Sequence, residues 1–472
     1  MTRVAIVGGG IAGLASALFL LESDPALEVE VFEREMQTGG KLRTDQVDGF
    51  VVERGPDAFL ASKPGAIGLS RHLGLDGQAI SPISENRQSF VMRDGGLMPL
   101  PQGLSGLVPG DLKPILESPL LSSEGKARLA RETEIPVRRD QGEESIASFM
   151  RRRYGQEAWD RMIEPLLTGI YAGDGERLSI DATFPNLPAQ ELQYGSLLVA
   201  AIAARDREQS ESARPSTPKG FVSFRQGMET LPAATRAAVE QLGGKITVGA
   251  AVQAIEYDLG SRQFELSING SASPVRVDAV VLATPAWVGS ALLKYVSPGA
   301  SDALAEIEHS SSGLVALGFP ETQLTKALNG YGYVVPRAEG RDITAMTWVS
   351  SKWSGRAPAG QALVRVFLGR TGREAVLQLE DADLIKLAIA EMREVLGLRI
   401  EPTLTRVQRW ELAMPQYVIG HRERVSRIES GVAAVPGLAI TGTMLRGVGK
   451  PDVISSARSA ADKVLRDVAP NS

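Results

Sequence analysis

The chain has 472 residues, enough for two or three domains, and its 43% apolar and 23% charged content is that of a soluble globular protein. A net charge of −5, with no run of like charge longer than Arg151–Arg153, argues against a nucleic-acid binder. Cysteine is absent and the histidines are only His72, His309 and His421, which excludes disulfides, thiolate metal sites, a Cys nucleophile and a redox dithiol. Hard chemistry must then come from a bound cofactor, or from carboxylates, Lys and Tyr. No signal peptide is visible and no stretch reaches the ~20 apolar residues that span a bilayer, so a cytoplasmic protein is expected.

VAIV (4–7) reads as a buried parallel strand. Gly8, Gly10 and Gly13 follow it as G-x-G-x-x-G, and a helix is expected from about Ile11 to Leu21. Gly8 permits the tight turn, Gly10 lets backbone approach a pyrophosphate, and Gly13 lets helix and strand pack closely. The helix N-terminus offers free N–H groups to phosphate. EVEVFE is the second strand and ends at Glu33, where a ribose-binding carboxylate belongs. Strand, glycines, helix, strand and acid in register weigh far more than the glycines alone.

Gly39–Gly40, Lys41 and Arg43 follow; taken alone, GGKLRT reads as a loop. ERGPDAF (53–59) adds another glycine–proline turn, and repeated glycine turns suit a long, extended ligand such as FAD better than NAD. Residues 93–210 read mostly helical, with Arg151–Arg153 and Glu157 on the wet face of ESIASFMRRRYGQEAWDRMIEPLL. The polar stretch 203–220 reads as a mobile loop. FRQGMETLPAATRAAVEQLGG is a helix with a glycine stop, KITVGAAVQAIEY a strand, and VRVDAVVLATPAW a buried strand ending at Thr284–Pro285. Four strand-like segments between 313 and 370 suggest a separate substrate sheet. A strand at 438–441, a glycine-rich loop and a helix from about Val453 close the pattern; that helix N-terminus would face a flavin ring and stabilise its reduced charge.

The fold expected is α/β: a Rossmann-like FAD-binding domain (1–58, 220–285 and 405–472), a mixed α+β substrate domain (59–92 and 286–404) and a helical insertion (93–219).

VAIVGGGIAGL, GGKLRT, ERGPDAFL, EPLLTGIYAGDGERLSIDATFP, RQGMETL, MPQYVIGH and RGVGKPDVI together resemble the oxygen-dependent protoporphyrinogen/coproporphyrinogen III oxidases, nearly end to end. The resemblance implies an amine-oxidase-like flavoprotein of the haem pathway, with the insertion as a membrane-facing part. It implies oxidation of a porphyrinogen to a porphyrin in successive two-electron steps, hydride passing to non-covalent FAD and oxygen serving as acceptor. No obligatory catalytic side chain is implied.

It further implies FAD contacts at Gly8, Gly9, Gly10, Ile11, Ala12, Gly13, Glu33, Arg34, Gly40, Lys41, Gly55, Pro56, Asp57, Ala58, Val252, Trp410, Gly442, Gly447, Val448 and Gly449. Without the resemblance, Val252 and Trp410 are as readily core residues. Arg87 takes the place of an arginine that faces a substrate propionate, although an exposed surface arginine fits the residues equally well. Tyr333 and Val335 are candidate apolar walls for a flat macrocycle.

The motifs look closest to the Gram-positive-type members, which act on coproporphyrinogen III, whereas Arg87 looks like the protoporphyrinogen type. Both substrates stay open, as do a flavin amine oxidase, a carotenoid-desaturase-like enzyme and a non-catalytic FAD scaffold. Arg138, Arg139 and Arg151–Arg153 could meet anionic lipid, but a solvated helix face is the preferred reading. A monomer or homodimer fits equally well.

Overall fold

The computed structural model describes residues 1–140, 142–210 and 220–469. RVAIV buries four consecutive positions, and a strand apolar on both faces needs neighbours at both edges and cover above and below. Arg3–Val7 pairs in parallel with Glu28–Glu33 on one side and Ala279–Leu282 on the other. Lys245–Val248 and Leu438–Ile440 extend this to five parallel strands. Alternate side chains then go to opposite faces. Val4, Ile6, Val29 and Val31 pack on the helices Ile11–Ser23 and Lys450–Val468. Ala5, Val7, Phe32 and Val280 pack on Ala286–Leu293, Pro298–Ala305 and His421–Ala433. Strand order reverses at Arg3–Val7 and Ala279–Leu282, so a crevice opens beyond their carboxyl ends.

KITVGAAVQAIEY is not one strand. Gly249, at φ +66°, turns the chain, and Gly249 and Ala250 donate their N–H groups to Glu35 (2.9 Å) and Glu33 (2.8 Å). Lys245–Val248 stays in the parallel sheet, while Val252–Asp258 joins Gln263–Ile268 and Val275–Val277 in a three-stranded antiparallel sheet. VRVDAVVL likewise divides at Asp278, whose carboxylate accepts from Arg3 N at 2.7 Å.

A second body is built on a seven-stranded sheet in the order Leu404–Pro415, His309–Pro320, Gln361–Leu368, Ile343–Trp348, Gly332–Val334, Ser89–Arg93, Gly96–Pro99. Leu404–Pro415, expected in the nucleotide-binding part, is an edge strand here and runs antiparallel to His309–Pro320. One face of the sheet is sealed by the helix Asp381–Leu396 through Leu384, Ala388 and Met392. On the other face lie the insertion's helices, Glu164–Tyr171 packing directly over Ile343–Trp348 and Gly332–Val334.

The arginine run does not lie on a wet face. Arg153 is wholly buried, with Nε donating to Glu132 at 2.6 Å and Nη1 to Glu191 at 3.2 Å. Arg152 pairs with Glu144 and Glu191, and Arg151 with Glu176. These charges hold the insertion's helices to one another. Residues 203–210, expected in a loop, continue the helix Leu197–Ser210; the rest of that expected loop, 211–219, lies outside the described residues. No helix among the described residues is long and apolar enough to cross a membrane.

Candidate active site

The turn after the first strand is held from both sides. Gly8 has φ +108°, and a Cβ on Gly13 would stand 1.9 Å from Gly8 O, so the helix can approach its strand only through glycine. Gly9 N donates to Glu33 Oε2 at 2.7 Å, and Glu35 N to Glu33 Oε1 at 2.9 Å, fixing the carboxylate beside the turn. The second glycine pair docks on the first: Gly39 N donates to Gly9 O at 2.8 Å. GGKLRT is thus part of the crevice and not a free loop.

A Cβ on Gly10 would meet nothing nearer than Gly40 Cα at 4.0 Å, so the glycine is needed for something other than this chain's own packing. Thr284 stands beside Gly8, and its buried Oγ1 has no partner among the described residues. An open cradle of N–H groups, a helix N-terminus and a buried acceptor-donor fit a dinucleotide pyrophosphate. Gly442, at φ +134°, follows Thr441, whose N–H donates to Leu282 O at 2.8 Å, so the fifth strand's loop reaches the same edge.

Residues 53–58 join the two bodies. Arg365 Nη1 donates to Gly55 O at 2.8 Å and to Glu53 O at 3.3 Å, and Trp410 Nε1 donates to Arg54 O at 2.7 Å. A Cβ on Gly55 would stand 2.2 Å from Lys41 O, so this segment lies flush on the second glycine turn. Asp57 receives Arg365 Nη2, Lys352 Nζ and Trp353 Nε1, each at 3.0 Å. Burial works against its charge, yet Lys352 and Arg365 hold the carboxyl well below the usual carboxylate range. With three carbonyls of the segment tied to the seven-stranded sheet, its remaining backbone groups are presented to the crevice.

Two lysines border this segment. Burial lowers Lys41 to about 8, and its ammonium donates to Ala413 O. Lys450, the first residue of the helix Lys450–Val468, is lowered by burial to about 8 against the pull of Asp57 and Glu53. Gly449 caps that helix and Gly447 turns at φ +80° over Asp452, which binds Lys63 Nζ at 2.8 Å. Val448 packs against the insertion's core.

TGIYAGD and MPQYVIGH meet at this loop, a convergence that neither motif shows by itself. The rings of Tyr171 and Tyr417 are 6.1 Å apart, and Tyr417 stacks on His421 at 4.0 Å. The Tyr417 hydroxyl donates to Thr443 O, and Gln416 Nε2 donates to Tyr171 O at 3.0 Å. Burial pushes both phenols up and His421 down to about 4, so all three rings are neutral at pH 7.

Tyr333 and Val335 are not walls of this site. Both are sealed under the helix Asp381–Leu396, where the Tyr333 hydroxyl donates to Glu391 at 2.9 Å. A strand's side chains alternate, so the residue between them, Val334, turns to the other face, where it packs against the insertion. Val334 pairs with Ala345, Ala345 with Phe367 and Thr347 with Arg365, and Val334, Ala345, Thr347 and Phe367 are all half-buried. On this face Ile343–Trp348 and Gly332–Val334 lie under the helix Glu164–Tyr171, whose Gly169 and Ile170 are exposed, whereas Phe367 packs on the cluster of Phe50, Val52 and Leu314. Arg87 is exposed at the end of the short helical turn before Ser89–Arg93, close to Tyr331.

At the far end of the crevice, Arg34 lies over the Trp287 ring at 6.0 Å and pairs with Glu35 at 3.2 Å. Val252 begins its strand two residues after Ala250, whose N–H is bonded to Glu33 O. Of the residues that sequence reasoning passed over, Arg365 had the clearest signal: a single charge in the otherwise apolar run ALVRVFL.

Residues 11–465 match the family model described as flavin containing amine oxidoreductase. The coproporphyrinogen III oxidase of Bacillus subtilis is 33% identical over 98% of this chain and 98% of its own. A solved structure of a putative protoporphyrinogen oxidase from an Exiguobacterium species superposes with a TM-score of 0.84 at 30% identity, covering 98% of each chain. A putrescine oxidase structure matches with a TM-score of 0.69 at 16% identity over 98% of this chain and 99% of its own, a likeness of fold alone.

Proposed function

The chain belongs to the flavin-containing amine oxidoreductase family, and we propose that within it the chain is an FAD-dependent porphyrinogen oxidase of haem biosynthesis. Coproporphyrinogen III is the favoured substrate, with coproporphyrin III as product; protoporphyrinogen IX stands second. The enzyme takes oxygen as its acceptor and works in the cytoplasm. The single observation that carries this reading is the end-to-end likeness to the Bacillus subtilis coproporphyrinogen III oxidase, which extends through the insertion and the seven-stranded sheet as well as the nucleotide-binding sheet.

FAD, when bound, supplies a two-electron acceptor that oxygen restores. The chain's own residues would position it. Gly8 to Gly13 and Gly40 would cradle the pyrophosphate, Glu33 the ribose, and Val252 with Arg34 the adenine end. Lys41, the backbone of Gly55 to Ala58, Trp410 and Gly442 to Gly449 would hold the ring end. Val334, Ala345, Thr347 and Phe367 would support a flat macrocycle, and Arg87 would take a propionate at the rim. The neutral aromatic set Tyr171, Tyr417 and His421 keeps water from the loop before Lys450 and offers no charged base.

The test is kcat/KM of the purified flavoprotein in air, with coproporphyrinogen III and protoporphyrinogen IX side by side, read by porphyrin fluorescence. Preference for coproporphyrinogen III is expected. A flavin-loaded protein that turns over neither would overturn the reading. The amine-oxidase alternative rests on a likeness of fold alone, and the scaffold alternative leaves the open sheet face without a purpose.

A further inference from the structure

Arg370 stands two residues beyond the strand Gln361–Leu368 and is only 2% exposed. Its Nε and Nη1 are buried without a hydrogen-bond partner, and its side chain forms no ion pair, among the described residues. Burial weighs most against its charge; Arg337 and Arg373 add to that cost, while Glu164 and Asp342 oppose it. Neither acid is free to answer it. Glu164 accepts from Thr168 Oγ1 at 2.7 Å and Arg337 N at 3.1 Å and pairs with Arg337 Nε at 3.2 Å. Asp342 pairs with Arg373 at 3.4 Å. A guanidinium cannot shed its proton to relieve the cost of burial, so an anion is what this position lacks.

The chain at Arg370 lies against the insertion on the roofed side of the sheet, where Thr371 N donates to Ala172 O at 2.8 Å. Glu164 belongs to the helix that roofs that side, and Arg337 reaches across to Gly173 O of the insertion at 2.7 Å. The pairings Ser89–Gly332, Gly332–Thr347 and Thr347–Arg365 set Arg87 at one end of the face and Arg370 at the other. They lie about 23 Å apart along the strands and three strands, about 14 Å, apart across them, or about 27 Å in all. Val334, Ala345 and Phe367 lie between them.

We propose that Arg370 binds a substrate carboxylate at the end of the sheet opposite Arg87, and so selects a porphyrinogen that carries propionates on both sides of its ring. The proposal rests on the porphyrinogen reading above. Coproporphyrinogen III bears a propionate on each pyrrole, whereas protoporphyrinogen IX bears them on two adjacent pyrroles only. The planar fork of Arg370 suits a bidentate carboxylate, and no atom of the bound cofactor is required for the contact.

The test compares the holoenzyme with Arg370→Leu and Arg370→Lys on both porphyrinogens. For Arg370→Leu, kcat/KM with coproporphyrinogen III should fall about tenfold or more, through KM, while protoporphyrinogen IX stays within about twofold. Arg370→Lys, which keeps the charge and loses the fork, should fall between. FAD content and the flavin absorption band should match wild type in both variants. An equal fall for the two substrates, or no fall for coproporphyrinogen III, would overturn the proposal.

If Arg370→Leu does not fold, binding of coproporphyrin III and protoporphyrin IX to the wild-type holoenzyme, read by fluorescence quenching, decides instead. Tighter binding of the tetracarboxylate, weakening with salt, supports the proposal, and equal affinity overturns it. A wild type that turns over neither porphyrinogen would fail the functional reading, and the same binding comparison would still judge Arg370.

Discussion

Arg365 and Asp57 form an ion pair of 3.0 Å across the boundary between the seven-stranded sheet and the nucleotide-binding body. Arg365 is buried within the sheet, and Asp57 belongs to the glycine–proline turn that faces the crevice. One ion pair therefore ties the sheet face proposed for the macrocycle to the segment proposed for the flavin.

Asp57→Asn should be costly, because it leaves Arg365 and Lys352 close together without their shared anion. Removing one partner of a buried pair costs about 3–5 kcal/mol. A lower Tm and a lower FAD-to-protein absorbance ratio are expected together. Asp57 stays ionised far below neutrality, so its share of stability is present from ordinary carboxylate pH upward and is lost only in strong acid.

Gly10→Ala and Gly13→Ala should separate folding from cofactor binding. The new Cβ at Gly13 would meet backbone at 1.9 Å, so loss of soluble protein is expected. At Gly10 it meets only Gly40 Cα at 4.0 Å, so the apoprotein should fold while FAD binding falls by about tenfold or more. Apoprotein Tm and FAD titration read the two effects separately.

His421 gives the fold an acid limit. Burial lowers it to about 4 from 6.5, so between these values the unfolded chain takes up a proton that the folded chain refuses. Its stabilising share is therefore whole above about pH 6.5 and drains away towards pH 4, a loss on the order of 3 kcal/mol. His421→Gln should lower Tm near pH 7.5 but show a smaller further drop near pH 5 than wild type. An unchanged acid slope would contradict the assignment.

Tyr333→Phe and Phe367→Ala report which face of the sheet meets substrate. Tyr333→Phe removes the bond to Glu391 and should cost about 1–2 kcal/mol of stability with kcat/KM intact. Phe367→Ala should lower Tm modestly, because the ring packs on the Phe50–Leu314 cluster and under the Arg365 guanidinium at 5.2 Å, and should raise KM for the porphyrinogen by about tenfold.

The first glycine turn was legible because its strand, turn, helix and acid are contiguous, and each residue type has a local steric reason. Tyr333 and Val335 face the sealed side of the sheet, which the sequence does not reveal because YGYVVP is apolar at successive positions and its own pattern carries no phase. Only pairing with Ile343–Trp348 and cover by Asp381–Leu396 decide which side is sealed. Arg153 was misread for a related reason: an RRR run looks solvated until Glu132 and Glu191, 21 and 38 residues away, are found beside it. Leu404–Pro415 sits next to the C-terminal glycine loop in sequence, but its partner strand lies near residue 315, which no local motif announces.

The five parallel strands also impose a schedule on the making of the protein. Leu438–Ile440 and the helix Lys450–Val468 emerge from the ribosome more than 400 residues after Arg3–Val7, although both complete the body that the first strand begins. At ordinary elongation rates of about 5–20 residues per second, the glycine turn waits roughly 20–90 s for its far edge. During that interval Ile6, Val31 and the helix Ile11–Ser23 lack the cover of Lys450–Val468. Nascent chains of this protein should therefore depend on holdase chaperones, and cofactor capture should be a late, post-translational event.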